Sequence, residues 1–565
     1  MYGSYAAVMI TALIIVAAFA VMIISRKRAE KREFIRNVKD SWGRGKPRLF
    51  LAQEMESIRE YSDTQSPNGS FCVIDDTTAG DVDLDRVFAS VCGALSSPGE
   101  EVLYSWLRHP VTDGNELAER IRMEDYFAAH EEERMGILMS LARIGHMKGG
   151  SFCHYIRQIR YAEPVGRNRF IALGLLTAAA FVLLFFWPLA AILMLIPILI
   201  ADFRVHMSMK KMTEAPIRGF QAVIRLIRGA EDLASVLPDA LSAEKERLAE
   251  LAAKCAEVRR GSTLVTSGGS VGTGIDDAIL EYLKMLFHID YIRFDSMLES
   301  ALKHEQEIME LLGLIGGIDA ACAAASWKEA QKTCVRPVFR DASGKAELKV
   351  EGLIHPLLTE AVPNSLETGR PVLLTGSNAS GKSTFLKSIA LSAILAQSIG
   401  AVTASSYEAP FFRIFSSMAL SDNLAGGESY FIVEIRSLKR ICDAAETAFP
   451  PVLALVDEIL RGTNTIERIA ASSQVLTELG RKNALIFAAT HDMELSYLLE
   501  DSYRNLHFQE SAKDGDVQFD YLLKEGRAES GNALKLLAMN GYPERVTERA
   551  GEAVRHFEKT GEWIL

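Results

Sequence analysis

The run Gly376-Ser377-Asn378-Ala379-Ser380-Gly381-Lys382-Ser383, continued by Thr384, has the spacing G-x-x-x-x-G-K-S, and its residue types suit a phosphate. Glycines let the backbone curl so that successive N–H groups point at phosphate oxygens. A helix starting near Lys382 adds the partial positive charge of its N-terminus. Lys382 is placed to reach β- and γ-phosphates, and the Ser383 hydroxyl to hold Mg²⁺. Two later stretches supply further chemistry. Val452–Val456 is an apolar run ending in Asp457-Glu458, where Asp457 suits the Mg²⁺ shell and Glu458 the polarisation of an attacking water. Ala484–Ala489 is a second such run, ending in Thr490-His491-Asp492. A histidine there can sense or stabilise a γ-phosphate. A lone histidine is more often structural, but three strand-end motifs in this order point to ATP and Mg²⁺, and to ATP hydrolysis.

Only a buried parallel sheet brings such groups together. Pro371–Thr375, Val452–Val456 and Ala484–Ala489 are continuous apolar runs of strand length, the form of strands covered on both faces, with their polar groups at the carboxyl edge. After the glycine-rich turn a helix is expected from Lys382 through Leu395.

The 565 residues leave room for roughly two to four domains. A formal charge of −11 argues against a protein that coats nucleic acid by bulk electrostatics, while allowing local basic surface. Seven cysteines without a C-x-x-C pair fit a reduced cytosolic compartment and give no zinc site. A mean hydropathy of +0.09 alongside 24% charged residues means that apolar sequence is concentrated locally.

The first concentration is Tyr5 to Ile24, followed by Arg26-Lys27-Arg28-Ala29-Glu30-Lys31-Arg32. About twenty apolar residues cross a hydrocarbon core as helix. The basic cluster follows the run, so the expectation is an uncleaved anchor with Arg26 onward in the cytoplasm. The second is residues 170–201, 32 uncharged residues interrupted by Trp187-Pro188. As one straight helix it would be about 48 Å long, too long for a bilayer without strong tilt. Two full spans normally need more residues. Arg157, Arg160, Arg167 and Arg169 precede it, and Arg204, Lys210 and Lys211 follow. Cytoplasmic flanks on both sides demand an even number of crossings. A short hairpin turning near Trp187-Pro188 is favoured over a single long span or a re-entrant hairpin. The protein is thus expected in the cell membrane, multi-pass, with its nucleotide site in the cytoplasm.

Elsewhere helices dominate. Val73 to Leu84 reads as strand or turn, Leu84 to Leu95 as helix, and Ser97-Pro98-Gly99-Glu100 as a turn into a helix Glu101 to Arg108 that ends before Pro110. Residues 115–148 and 203–260 read as helices, 262–274 as a flexible loop, and Ile275 to Trp327 as helices again.

On these residues the chain resembles the MutS family, the mismatch-repair branch of the ABC-type fold. Asp457 to Thr465 is similar to its D-E-x-x-R-G-T-x-T segment, and the loop around Asn378 to its T-G-x-N-x-x-G-K-S-T. Ser429-Tyr430-Phe431-Ile432-Val433-Glu434 resembles S-T-F-x-x-E, and Thr490-His491 its T-H. Flanking landmarks are His355-Pro356, Val362-Pro363-Asn364, Glu525-Gly526, Ser530-Gly531-Asn532-Ala533 and Asn540-Gly541-Tyr542-Pro543. More weakly, residues 75–120 resemble the opening of the family's helical core. Departures accompany the match. With only the expected anchor and a short segment before residue 70, mismatch-reading and connector domains are not expected. Phe508-Gln509-Glu510 fits the mismatch wedge pattern by coincidence, and Leu460 stands where a glycine is usual, stiffening the loop after Glu458.

The resemblance implies an α/β ABC-type P-loop ATPase domain plus an all-α core and lever domain interrupted by a transmembrane hairpin, behind an N-terminal transmembrane anchor. The corresponding segments are 1–25 anchor, 26–70 juxtamembrane, 71–169 and 202–335 helical core, 170–201 hairpin and 336–565 ATPase. It also implies a homodimer with a composite site, in which Ser429 contacts the partner's γ-phosphate and the helix Glu544 to Phe557 adds to the dimer. Function follows as a membrane-anchored MutS-like ATPase for which DNA is a candidate cargo and mismatch reading is not expected. A nucleotide-gated membrane switch or scaffold with no DNA partner is the alternative, and an ABC-type transporter is the weakest reading.

Overall fold

The computed structural model describes residues 25–26, 29, 32–44, 48–65, 72–147, 149–259, 283, 286–340, 346–377, 380–418, 430–447, 449–513, 516–528, 534, 537–538 and 541–564. The expected anchor (Tyr5 to Ile24), residues 262–280, Asn378, Ala379 and Ser429 lie outside them. Described residues fall into two units: one from Met1–Gln65, Ala89–Ser105 and Arg122–Ala330, the other from Ser66–Phe88, Trp106–Ile121 and Gln331–Leu565.

In chain order the helices are α1 (Ala52–Asp63), α2 (Asp76–Asp81), α3 (Leu84–Val91), α4 (Ser97–Arg108), α5 (Gly114–Ala129), α6 (Glu131–Ile144), α7 (Phe152–Arg160), α8 (Arg167–Leu183), α9 (Pro188–Val236), α10 (Ser242–Lys254), α11 (Ala256–Arg259), α12 (Ile289–Lys303), α13 (Glu305–Ala330), α14 (Lys382–Ile399), α15 (Tyr430–Ala444), α16 (Thr465–Gly480), α17 (Met493–Leu498) and α18 (Glu544–Thr560). The strands are β1 (Val338–Phe339), β2 (Leu348–Leu353), β3 (Asn364–Thr368), β4 (Val372–Thr375), β5 (Ser406–Ala409), β6 (Arg413–Ser417), β7 (Val452–Asp457), β8 (Ala484–Ala489), β9 (Arg504–His507), β10 (Glu510–Lys513), β11 (Asp516–Phe519) and β12 (Lys524–Glu525).

The first unit is helical. Its spine is the 49-residue α9, which packs on α6, α7, α8, α10 and α13. Two glycines permit close approach: a Cβ on Gly219 would meet the Tyr155 carbonyl at 2.7 Å, and one on Gly229 would meet Ile144 at 2.4 Å. The apolar stretch is two helices, α8 and α9, with the break at residues 184–187 and Pro188 opening α9, where proline's missing N–H costs nothing. A single straight span is therefore not observed. α9 also runs on past residue 201 without interruption. Large side chains of this hairpin face outward, with Phe185 86% and Leu189 76% exposed. Between its arms Thr177 Oγ1 donates to the buried Asp202 (3.1 Å), which also meets His288 at 3.0 Å. Pro188–Met209 is long and apolar enough to cross a membrane. α13 passes the same length and composition test, but it is a core helix, 72% buried in its most apolar window. Its Asp319 carboxylate accepts from the backbone N–H groups of Leu95 and Ser96.

In the second unit a six-stranded sheet runs β12-β9-β4-β8-β7-β6. β9, β4, β8, β7 and β6 are parallel, and β12 is antiparallel to β9. All four residues of β4 and five of six in β7 and β8 are buried, the pattern of a sheet covered on both faces. A four-stranded sheet, β1-β5-β2-β3, lies apart from it.

Two local expectations are corrected. Residues 76–81, expected as strand or turn, form α2, because the Asp75 side chain accepts from the Thr78 N–H and caps a helix there. The Ser97–Glu100 turn is already the first turn of α4, since proline at its second position tolerates a helix start.

Candidate active site

Strand register builds the site. Leu374 of β4 pairs with Ala489 of β8, and Ala489 pairs with Asp457 of β7. The glycine-rich turn, the two carboxylates and Thr490-His491 therefore emerge at one level of one edge. Two bonds tie that edge together: Thr490 N–H donates to the Leu374 carbonyl (3.0 Å) and Glu458 N–H to the Ala489 carbonyl (2.9 Å).

Gly376 and Gly381 have φ of 143° and 107°, conformations that side chains resist. A Cβ on Gly376 would also meet the Phe508 carbonyl at 2.6 Å. α14 starts at Lys382, whose Nζ donates to the carbonyls of Gly376 and Ser377 (2.8 Å each) and lies 3.5 Å from His491 Nε2. Ser383 Oγ donates to Asp457 Oδ2 at 2.5 Å. Burial pushes the Asp457 carboxyl above its usual range, against the Ser383 hydrogen bond. His491 Nε2 stands 3.1 Å from Glu458 Oε1. Ser380 Oγ is buried and has no hydrogen-bond partner among the described residues. The structure thus brings Ser380, Gly381, Lys382, Ser383, Thr384, Asp457, Glu458 and His491 around one cavity of about 400 Å³, walled on its apolar side by Leu353, Leu358, Val362, Phe508 and Tyr521.

These residues fit a magnesium-bound triphosphate. A hydroxyl and a carboxylate converge as a hard oxygen pair, an orphaned hydroxyl sits in the loop, and at Gly376 the loop leaves no room for a Cβ. Phe508, the false wedge, packs edge-on against Phe385 at 5.8 Å as part of this wall.

After Glu458 the chain turns sharply. Glu458 and Leu460 have φ of 53° and 56°, a region costly for any residue but glycine. The buried Glu434 carboxylate holds the turn by accepting from the backbone N–H of Leu460. Burial raises the Glu434 carboxyl above its ordinary value, partly offset by backbone N–H groups of Leu460 and Arg461.

Residues 372–558 match the family described as MutS domain V. The chain is 35% identical over 289 residues to the DNA mismatch repair protein MutS of Natronomonas pharaonis, covering 49% of this chain and 33% of that one. It is 34% identical over 258 residues to the protein of that name from Thermus aquaticus (45% and 31%). To DNA mismatch repair protein MutS 2 of Haloarcula marismortui it is 36% identical over 190 residues (33% and 20%). Over this part of its length the chain is MutS-like. It spans about a third of the length of the first two relatives and a fifth of the third, and the MutS domain V match, of P-loop ATPase type, takes in the cavity's polar residues from Ser380 to His491 but not its wall from Leu353 to Asn364.

Two contributors escaped the MutS motifs. Tyr521 reaches the cavity wall from far along the chain, and no spacing announces it. Arg468 sits on α16 and holds Asp492 with both arms, Nε to Oδ2 at 2.8 Å and a terminal nitrogen to Oδ1 at 2.6 Å. The available signal was an aspartate directly after Thr490-His491 facing a basic residue on the helix that follows Glu458.

Proposed function

We propose that this chain is a membrane-anchored MutS-like ATPase that binds and hydrolyses ATP at a site completed by a second copy, and so opens and closes its helical unit. One observation carries the reading: Lys382, Ser383, Asp457, Glu458 and His491 converge at one sheet edge, with Ser383 and Asp457 2.5 Å apart. Mg²⁺ held by Ser383 and Asp457 would neutralise charge on the phosphates. Lys382 and the α14 N-terminus bind and orient the β- and γ-phosphates. Glu458 orients the attacking water and accepts its proton. His491, between Glu458 and Lys382, lies where charge on the γ-phosphate grows. Ser429 of the second copy would complete the site. ATP then favours the closed pair, and hydrolysis releases it.

Replacing Lys382 by alanine is expected to abolish nucleotide binding or turnover; an unchanged ATPase rate refutes the proposal. DNA is the cargo the family resemblance implies. A switch without DNA is the second reading, favoured by the outward apolar faces of the α8–α9 hairpin and the −11 charge. DNA binding predicts affinity that falls steeply with salt, as phosphate contacts release counterions. No salt-dependent binding to duplex, branched or single-stranded DNA, with or without ATP, selects the switch.

A further inference from the structure

We propose that Arg468 and Asp492 form a positioning clamp for His491, setting the rate of hydrolysis without taking part in nucleotide binding; this rests on the ATPase reading above. Asp492 occupies the N-cap position of α17, where an aspartate ordinarily accepts a hydrogen bond from the helix's own first turn. It makes no such bond. Both carboxylate oxygens are given to the Arg468 guanidinium instead, at 2.8 and 2.6 Å, the strong and directional fork geometry. The pair is largely shielded, with side chains 21% and 15% exposed.

The two ends of this bridge make it more than a surface ion pair. Arg468 stands in the first turn of α16, the helix that begins directly after the Glu458–Asn464 segment. That helix is capped by the Asn464 side chain on the Glu467 N–H. Asp492 is bonded covalently to His491, and its own N–H donates to Thr490 Oγ1 (3.0 Å). The clamp thus closes a ring: Glu458, its turn, α16, Arg468, Asp492, His491, and back to Glu458 across 3.1 Å. Glu458 and His491 line the nucleotide cavity on one side and, with Arg461, Arg468 and Asp492, a second cavity of about 220 Å³ on the other. His491, itself exposed, is held through its backbone neighbour Asp492 by this bridge. Lys382 bonds to the carbonyls of Gly376 and Ser377 and Ser383 bonds to Asp457, so losing the clamp is expected to leave phosphate binding intact while the imidazole swings from its place. Misplacing a reacting group by about 1 Å costs on the order of 100-fold in rate.

The test uses the full chain in detergent or vesicles, with steady-state ATP hydrolysis and nucleotide affinity measured on wild type, Arg468→Ala, Asp492→Ala, the double variant and His491→Ala. The expected result is a fall in kcat of about tenfold or more in each single variant, with KM and nucleotide affinity within about twofold. The double variant falls no further than either single one, because the two side chains act as a unit. Neither single variant is slower than His491→Ala, through which they act. Asp492→Asn, which keeps the shape and loses the charge, serves if the alanine variants do not fold. The inference is overturned if kcat is unchanged, if the losses multiply in the double variant, if they lie in KM alone, or if Arg468→Ala is slower than His491→Ala. Failure of the ATPase reading shows differently, as a wild-type protein that does not hydrolyse ATP.

Discussion

Leu460 offers a prediction in which backbone and side chain pull in opposite directions. It is buried (6% exposed) in the cluster containing Leu438, Val456 and Leu476, yet its φ is 56°. The left-handed region costs a non-glycine residue roughly 1–2 kcal/mol. Truncating a buried leucine costs about 2–5 kcal/mol. Leu460→Gly therefore relieves strain but loses more packing, and should destabilise the ATPase unit by up to roughly 4 kcal/mol. The informative comparison is with Leu460→Ala, which loses nearly the same packing but keeps the strain. At an ordinary position glycine is the less stable of the two by about 0.4–1 kcal/mol, through the entropy of the unfolded chain. Here the relief exceeds that penalty, so the glycine variant should be more stable by up to about 1.6 kcal/mol, a shift of up to roughly 3–6 °C for a unit of this size. Differential scanning fluorimetry of the full chain reads it, in the transition that added MgATP raises. An alanine variant melting at or above the glycine variant would show that Leu460 is not strained, and the account of the turn held by Glu434 would fail with it.

Other predictions concern chemistry, pH and membrane. Glu458→Gln should keep ATP bound but lose turnover and lengthen the dimer's lifetime; a monomer in sedimentation with saturating ATP removes the composite site. Glu101 lies buried in the helical unit, and burial pushes its carboxyl up to about 8 despite two backbone N–H donors at Phe152 and Cys153. A carboxyl raised in the fold contributes stability that is complete below its unfolded value and is lost as pH rises through the folded one. The helical unit's melting temperature should therefore decline from about pH 4.5 to 8 and level off above; Asp319, pushed up to about 6 by burial, adds to the lower part. Glu101→Gln should flatten the decline, and an equally steep profile in that variant excludes Glu101 as its source. Cysteine placed at Phe185, in a chain lacking its native cysteines, should react with an impermeant maleimide only from the outside of sealed vesicles. Labelling from the cytoplasmic side alone argues for a hairpin that does not cross.

The sheet edge was legible because its evidence is local and redundant. Strands buried on both faces must be apolar throughout, so β4, β7 and β8 stand out as unbroken runs, and the groups that follow each run are carried to one end by parallel pairing. The break between α8 and α9 was legible for a related reason. Within a 32-residue uncharged stretch, Trp187-Pro188 marked the break that the structure shows between α8 and α9. The short α2 was missed because a single side-chain cap on Thr78 decides it, and residues 73–84 contain no periodic apolar run long enough to reveal a helix.

Arg468, and the partner that Glu434 finds from within its motif, show a deeper limit. Each acts across the fold, Arg468 on Asp492 and Glu434 on the amide of Leu460, and neither partner is near it in sequence. A charged residue on a helix ordinarily means a solvated face, and most exposed ion pairs contribute little. What distinguishes Arg468 is visible only in three dimensions: two short bonds to one carboxylate, and an N-cap that forgoes its own helix. Phosphate-binding motifs can be read from residue types because the ligand is fixed chemistry. The supports that hold those motifs in place can be any pair whose geometry fits, and the sequence leaves them free to differ.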